Sequence, residues 1–209
     1  AWAGGSAAFA GAVNIVTKNP GSKGLSLSLS AGDFRFFRGS GNVSFSAGKI
    51  SGVAGGGYVR SDGYSQNRDF KTGNFFTNVS YQPAKGHTIS FSGGYQSKDF
   101  GAYSFYTPAY PWQYEQTRLF LSSLEYVLRK QRLEVRLALS TRIHYDRFEL
   151  FRYESPEWYA GHNYHRNNIT GVNLEAAYSW GKAGTTIAGS ELRMESISST
   201  VLGRALEKE

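Results

Sequence analysis

The stretch Gly24-Leu25-Ser26-Leu27-Ser28-Leu29-Ser30 alternates leucine with serine at every position after its first residue. Successive side chains of a β-strand point to opposite faces, so this run predicts a strand with one apolar and one polar face. No helical period is sustained anywhere in the chain, which predicts an all-β protein of about nine strands. The same period of two recurs in the runs 42–47, 74–81, 88–95, 133–142 and 171–180.

Two features of the strands bear on the fold class. The run 118–128 is apolar at both odd and even positions, so the pattern does not say which of its side chains share a face. The strands are expected to be about ten residues long, the length that a tilted membrane-spanning β-strand requires. A soluble β-sandwich also shows such alternation, so both architectures stay open on this evidence alone.

After a fairly short first loop, the connections between the predicted strands alternate between short and long. Alternate connections of an up-and-down meander fall on opposite edges, so all the long ones lie on one edge, which is typical of outer-membrane barrels. Nine is an odd number of strands, and the arc is therefore expected to continue beyond Glu209. The long loops are 61–73, 97–116 and 144–168, and the aromatic residues near the short turns, which suit a membrane interface, are Tyr81, Tyr126, Tyr178 and Trp180.

Composition narrows the class of protein. Aromatic residues make up 15% of the 209-residue chain and charged residues 19%, a profile that disfavours disorder. The net charge of +7 comes from scattered basic residues, which indicates a mildly basic surface and no nucleic-acid partner. There is no cysteine and no apolar run of about 18 residues, and no signal-peptide pattern is visible after Ala1, which carries no conclusion about export. Both ends, Ala1 and Glu209, are interpreted as cuts in a longer protein.

Upstream of the first alternating run, the stretch Gly4–Lys18 begins with small residues and ends as an apolar, β-branched strand. The segment Asn19-Pro20-Gly21 ends this strand, because proline donates no backbone hydrogen bond and glycine permits a tight reversal. From its residues alone, this is equally consistent with a core strand of an ordinary domain.

The sequence Gly5-Ser-Ala-Ala-Phe-Ala-Gly-Ala-Val-Asn-Ile-Val-Thr-Lys18 resembles the end of the plug domain in TonB-dependent outer-membrane receptors. The segment 61–70 looks like the second extracellular loop of the same family, and 100–117 is similar to the third loop of vitamin B12-type and related Bacteroidetes-like receptors. As a whole the chain resembles receptors of the vitamin B12 or siderophore type. The resemblance implies that residues 1–20 end a plug domain and that 21–209 form the first part of a transmembrane barrel of about 22 strands. The positions that carry the plug motif are Gly5, Gly11, Asn14, Thr17 and Lys18.

The resemblance also implies a function. Such a receptor, located in the outer membrane of a Gram-negative cell, takes up a scarce nutrient of the cobalamin, haem or ferric siderophore class, powered by TonB. TonB would contact a segment that this sequence lacks, and outer-membrane lipid would surround the barrel. No covalent chemistry is implied, so the chain is not expected to be an enzyme. An outer-membrane barrel enzyme and a soluble β-sandwich binding module remain the alternatives.

Candidate binding residues lie in the long loops. Their aromatic side chains give a large, rigid contact area with a polar handle, although packing among the loops is the competing explanation for any one of them. Three loop carboxylates, Asp62, Asp69 and Asp99, are candidates to hold Ca²⁺, or else to pair with arginines such as Arg60 and Arg68. No other cofactor is expected. The candidate ligand-binding residues are Tyr64, Tyr103, Phe105, Tyr106, Tyr110, Trp112, Tyr153, Trp158 and Tyr159.

Overall fold

The structure is a computed structural model that describes residues 23–159 and 161–201. The predicted plug end, its boundary near residue 20 and the five plug-motif positions therefore lie outside the described residues. Within them the protein is all-β, and a single 3₁₀ turn at Gly181–Ala183 is the helical element of this part of the chain. The nine strands are β1 (Gly24–Gly32), β2 (Phe36–Ala47), β3 (Ile50–Ser61), β4 (Phe70–Tyr81), β5 (His87–Gly101), β6 (Tyr114–Lys130), β7 (Leu133–Glu149), β8 (Asn163–Ser179) and β9 (Thr185–Ser199).

These strands form one antiparallel sheet in which each strand pairs with the next in sequence. The nine-stranded up-and-down meander expected from the sequence is thus confirmed. The sheet is not closed, because β1 and β9 pair with one neighbour each and are its two edges. The described residues form no second sheet packed on the first, which is the arrangement that a β-sandwich requires.

The expected strand length of about ten residues is wrong for the second half of the sheet. Strands β5 to β9 contain 15 to 17 residues, and the long loops shrink accordingly to 62–69, 102–113 and 150–162. Backbone pairing continues past the end of the apolar alternation, through charged positions such as Lys71, Asp99 and Arg118. Ladder hydrogen bonds need no apolar side chain, and cross-strand ion pairs replace apolar contacts there.

The register sorts the side chains into two faces, which we call the apolar face and the polar face. Leu25 of β1 lies opposite Val43, and this row of paired residues continues along one face through β3 and β4. The register also shows which side chains of β6 share a face, because Leu124 pairs with Phe91 and with Leu139 on the apolar face. The apolar face of β6 therefore carries Phe120, Leu124, Tyr126 and Leu128, and its polar face carries Leu119, Leu121, Ser123 and Val127.

The apolar face is exposed. The large hydrophobic side chains that the strands leave exposed all lie on it, except Phe76, Leu121 and Ile187. Among the described residues, Ala102 and Val127 are the buried hydrophobic side chains, so this sheet has no conventional core. An exposed apolar surface of this extent marks contact with an apolar phase or another partner.

Four short turns, 48–49, 82–86, 131–132 and 180–184, lie together on the edge opposite the long loops, whereas the short turn 33–35 lies on the long-loop edge beside Asp62. At one of them Gly86 has φ +82°, and an added Cβ would lie 2.2 Å from the carbonyl oxygen of Arg129, so this turn requires glycine. Tyr81, Tyr126 and Tyr178 lie on the apolar face near these turns, and Trp180 stacks edge-on against Tyr178 at 4.6 Å.

No helix of the described residues is long and apolar enough to cross a membrane.

Candidate functional site

The long loops are gathered on one edge, where Gln113 is fully buried between two of them. Its side-chain Nε2 donates to the carbonyl oxygen of Thr107 at 3.3 Å, and its Oε1 accepts from the backbone N–H of Tyr106 at 3.0 Å. Its backbone oxygen accepts from the N–H of Ala102 at 2.9 Å. Because both polar ends of this buried amide are bonded, the loop 102–113 has a fixed shape.

A second buried amide joins the first loop to this one. Asn67 Nδ2 donates to the carbonyl oxygens of Pro111 and Gln113 at 2.9 and 2.7 Å. Asn67 has φ +51°, a left-handed conformation that asparagine tolerates better than most residues. Gly101 makes room for it, since an added Cβ there would lie 2.5 Å from Asn67 Oδ1.

The third loop is fixed by Arg152. Its guanidinium donates to both carboxylate oxygens of Asp69 at 2.5 and 2.7 Å and to Asn67 Oδ1 at 3.0 Å. Its backbone N–H donates to the carbonyl oxygen of Trp112 at 2.9 Å, and its guanidinium lies 4.5 Å from the ring centre of Tyr114. The bidentate bond from Arg152 lowers the pKa of Asp69 below its usual 3.8, and the same bond raises the pKa of Arg152. We call Asn67, Asp69, Gln113 and Arg152 the three-loop clasp.

Beside the three-loop clasp lies an outer aromatic cluster made of Tyr110, Phe151, Trp158 and Tyr159. Phe151 is its centre, with edge-on contacts to Tyr110 at 5.2 Å, Trp158 at 5.6 Å and Tyr159 at 5.2 Å. Trp158 remains 64% exposed, so the cluster presents a ring to solvent. A separate edge-on pair joins Trp112 to Tyr153 at 5.5 Å. Edge-to-face pairs of this kind stabilise loops beyond the area that they bury.

A cation lies close to two aromatic rings on the polar-face side of the loops. The Arg68 guanidinium carbon lies 5.2 Å from the ring centre of Tyr64 and 5.6 Å from that of Tyr103. Arg68 lines two open cavities, of about 340 and 540 Å³, and Phe100 lines both as well. Phe100 pairs with Glu115 on the polar face, so the cavities open on that side of the sheet.

Tyr106 completes the wall of the smaller cavity. Its hydroxyl donates to Glu115, and its ring stacks edge-on with Phe105 at 4.9 Å. Burial and the neighbouring carboxylate of Glu115 both raise the pKa of the Tyr106 hydroxyl, so it stays a neutral hydrogen-bond donor at physiological pH. A cation held between rings, next to a neutral phenol, suits an anionic or planar π-rich ligand.

The structure therefore divides the nine predicted binding residues into groups. Tyr64, Tyr103, Phe105 and Tyr106 gather around Arg68 at the cavities. Tyr110, Trp158 and Tyr159 belong to the outer aromatic cluster, and Trp112 and Tyr153 form their own pair. Sequence reasoning missed Arg68 as a lining residue, and it missed Phe100, Phe151 and the three-loop clasp apart from Asp69. An arginine within four residues of an aromatic in a long loop was the one local signal for Arg68.

The three candidate calcium carboxylates are each paired with a cation. Asp62 lies 3.3 Å from Arg35, and Asp69 is bound by Arg152. Asp99 lies 2.5 Å from Arg118 and 3.4 Å from Lys71. Ion pairing was the alternative weighed for them, but the partners differ from the expected Arg60 and Arg68. In the part of the chain that the structure describes, no group of three or more His, Asp or Glu residues is arranged to hold a metal ion.

No family model matches this chain, and a search of the curated proteins found no match for it.

Proposed function

We propose that this chain is a wall segment of a transmembrane β-barrel in an outer-membrane receptor of the TonB-dependent kind, which takes up a scarce nutrient. The observation that carries the proposal is the division of one meander into an exposed apolar face and a polar face, with every long loop on one edge. Lipid is the apolar phase that fits such a face, and the polar face would line the lumen.

The dimensions of the apolar face support this assignment. On β7 the apolar-face side chains at odd positions from Leu133 to Ile143 are hydrophobic except Thr141. Ten residue steps of about 3.4 Å on a strand tilted by 45° span about 24 Å, close to the apolar band of about 25 Å in outer-membrane barrels. The open edges at β1 and β9 would pair with further strands, since unpaired backbone groups in lipid are costly.

Within this proposal, the cavities around Arg68 form the nutrient-binding site. They lie at the long-loop edge and open on the polar face, where a ligand bound from outside would enter the lumen. The three-loop clasp fixes the loops in advance, which lowers the entropy cost of binding. Rings with a central cation suit the anionic, π-rich surfaces of a ferric siderophore or haem, and cobalamin offers a comparable planar ring system.

Two measurements on the intact protein test the proposal. The first is fractionation of cells: recovery in the outer membrane is expected, and recovery in the soluble fraction would refute the membrane assignment. The second is uptake of radiolabelled cobalamin, haem and ferric siderophores by a deletion strain, with and without TonB. Uptake of one nutrient is expected to require both this protein and TonB. An Arg68→Gln variant should bind that nutrient about tenfold more weakly. Arg35→Gln, which alters an exposed ion pair at the same edge, is the matched control. If uptake of every nutrient tested is unchanged without this protein and without TonB, the transport function is refuted.

A further inference from the structure

Five basic residues lie on the apolar face, between its hydrophobic band and the long loops. Arg60, Lys71 and Arg147 belong to one row of paired residues, and Arg118 and Arg166 belong to the adjacent row. The next row toward the short turns already contains Phe75, Tyr95, Phe120 and Ile143. Positive charge therefore directly borders the hydrophobic band on the same side of the sheet.

Carboxylates cancel this charge only in part. Asp99 and Glu149 are the two acidic residues in this region of the apolar face, and both are buried, with 6% and 4% of their surface exposed. Asp99 is held by Arg118 and Lys71, and Glu149 by Arg147. Five cations against two carboxylates leave an excess of positive charge on this face. Arg166 has no carboxylate among its described contacts, and it is exposed.

Three of these arginines converge on one cavity. Arg118, Arg147 and Arg166 line a space of about 460 Å³ together with Tyr145 and Tyr164. A guanidinium group lies over each ring. The guanidinium carbon of Arg166 is 5.3 Å from the ring centre of Tyr145, and that of Arg147 is 5.7 Å from the ring centre of Tyr164. The rest of the lining is polar, and Asp146 is its one carboxylate; the other lining residues are Gln116, His165, Ser198, Ser199 and Thr200. Stacked guanidinium groups present their N–H donors in a fixed fork, the geometry that binds phosphate oxygens.

We infer that this cavity binds the phosphate-bearing headgroup of a membrane lipid in the leaflet next to the long loops. The headgroup phosphate would accept hydrogen bonds from the arginines, and its acyl chains would run along Phe120 and Ile143 toward the short turns. The inference rests on the proposed function, because it requires lipid against the apolar face. A free anion would gain nothing from the hydrophobic band, and this is the reason for assigning a lipid.

The test is native mass spectrometry of the intact protein in a neutral detergent, titrated with diphosphorylated lipid A and with its dephosphorylated form. Lipid A should bind at least tenfold more tightly than the dephosphorylated form, and Arg166→Gln should weaken lipid A binding by about tenfold, the loss of one charge-assisted hydrogen bond. Arg142→Gln is the matched control, since Arg142 is on the polar face of β7 next to Ile143, and it should leave binding unchanged. Circular dichroism of both variants shows that the fold is retained.

Four results would overturn the inference. The first is equal affinity for lipid A and its dephosphorylated form. The second and third are unchanged lipid A binding in Arg166→Gln and an equal loss of binding in Arg142→Gln. The fourth is displacement of lipid A by inorganic phosphate at the same concentration as the lipid. Each of these, with the protein still found in the outer membrane, removes the headgroup site and leaves the proposed function standing. Absence of the protein from the membrane fraction removes the proposed function itself, whatever the detergent titration shows.

Discussion

Replacing Arg152 by glutamine should release the third long loop from the first while leaving the sheet intact. The substitution removes the two bonds to Asp69 and weakens the bond to Asn67, which are the contacts that hold the third loop to the first. The side chains of Arg152 and Asp69 are 20% and 37% exposed, between the extremes of a surface pair and a buried pair. Exposed pairs contribute up to about 1 kcal/mol, and breaking buried ones costs about 3 to 5 kcal/mol. We therefore expect a loss of about 2 kcal/mol in the free energy of opening the loops.

Hydrogen exchange followed by mass spectrometry of the intact protein measures this loss. A change of about 2 kcal/mol corresponds to about thirtyfold faster exchange. The acceleration should appear in peptides that cover 62–69 and 150–159, and it should be absent from peptides of the short turns at the opposite edge. Arg129→Gln is the control, because its ion pair with Glu134 is more exposed and lies at the opposite edge. That variant should change exchange less than about fivefold, and only near its own turn.

Two results would refute the reasoning. Unchanged exchange in the loops of Arg152→Gln would mean that the remaining contacts hold the loops without the bonds from Arg152 to Asp69 and Asn67. Equal acceleration in the loops and in the short turns would mean that the substitution destabilises the whole sheet.

Two further predictions concern acid and the apolar face. The pKa of Asp69 is lowered in the folded protein, so the stability that it contributes is complete above its unfolded pKa of 3.8 and is lost as the pH falls below that value. The intrinsic tryptophan fluorescence should therefore change below about pH 4, and Asp69→Asn, in which the bond is weakened at every pH, should lack this transition; a transition that persists there would assign it to another group. Leu139→Arg places a charge on the apolar face and should cost about 2 to 4 kcal/mol in denaturant unfolding of the intact protein in lipid vesicles. Ser140→Arg, on the polar face of the same strand, should cost less than about 1 kcal/mol, and an equal cost for the two variants would contradict lipid contact.

The strands were predictable because their signal is local. The alternation around Leu25, Leu27 and Leu29 determines which side chains share a face, and the spacing of the turns determines the meander. The ends of the strands were not predictable in the same way. Where Asp99 and Arg118 replace apolar residues, the alternation stops, but the backbone ladder continues because the two side chains pair across it.

The candidate site was predictable only in part, because only some of its contacts leave a local signal in the sequence. The density of aromatic residues in the loops indicated a binding edge, and four of the predicted aromatics do surround Arg68. The three-loop clasp joins Asn67 to residues 46 and 85 positions away, and no local pattern encodes such a pairing. The phase of β6 was also set by its neighbours, since Phe91 and Leu139 decide which face Leu124 occupies.

The meander has a consequence for the order in which the chain can assemble. Each strand pairs only with its neighbours in sequence, so the sheet can grow one hairpin at a time without closing any long loop of chain. The bond between Arg152 and Asp69 is different, because β4, β5, β6 and β7 all lie between the two residues. It can form only after those strands are in register, so a shift of one residue in any of them would separate the two partners. The three-loop clasp therefore forms late in assembly, and it forms only when the strands of the sheet are correctly paired.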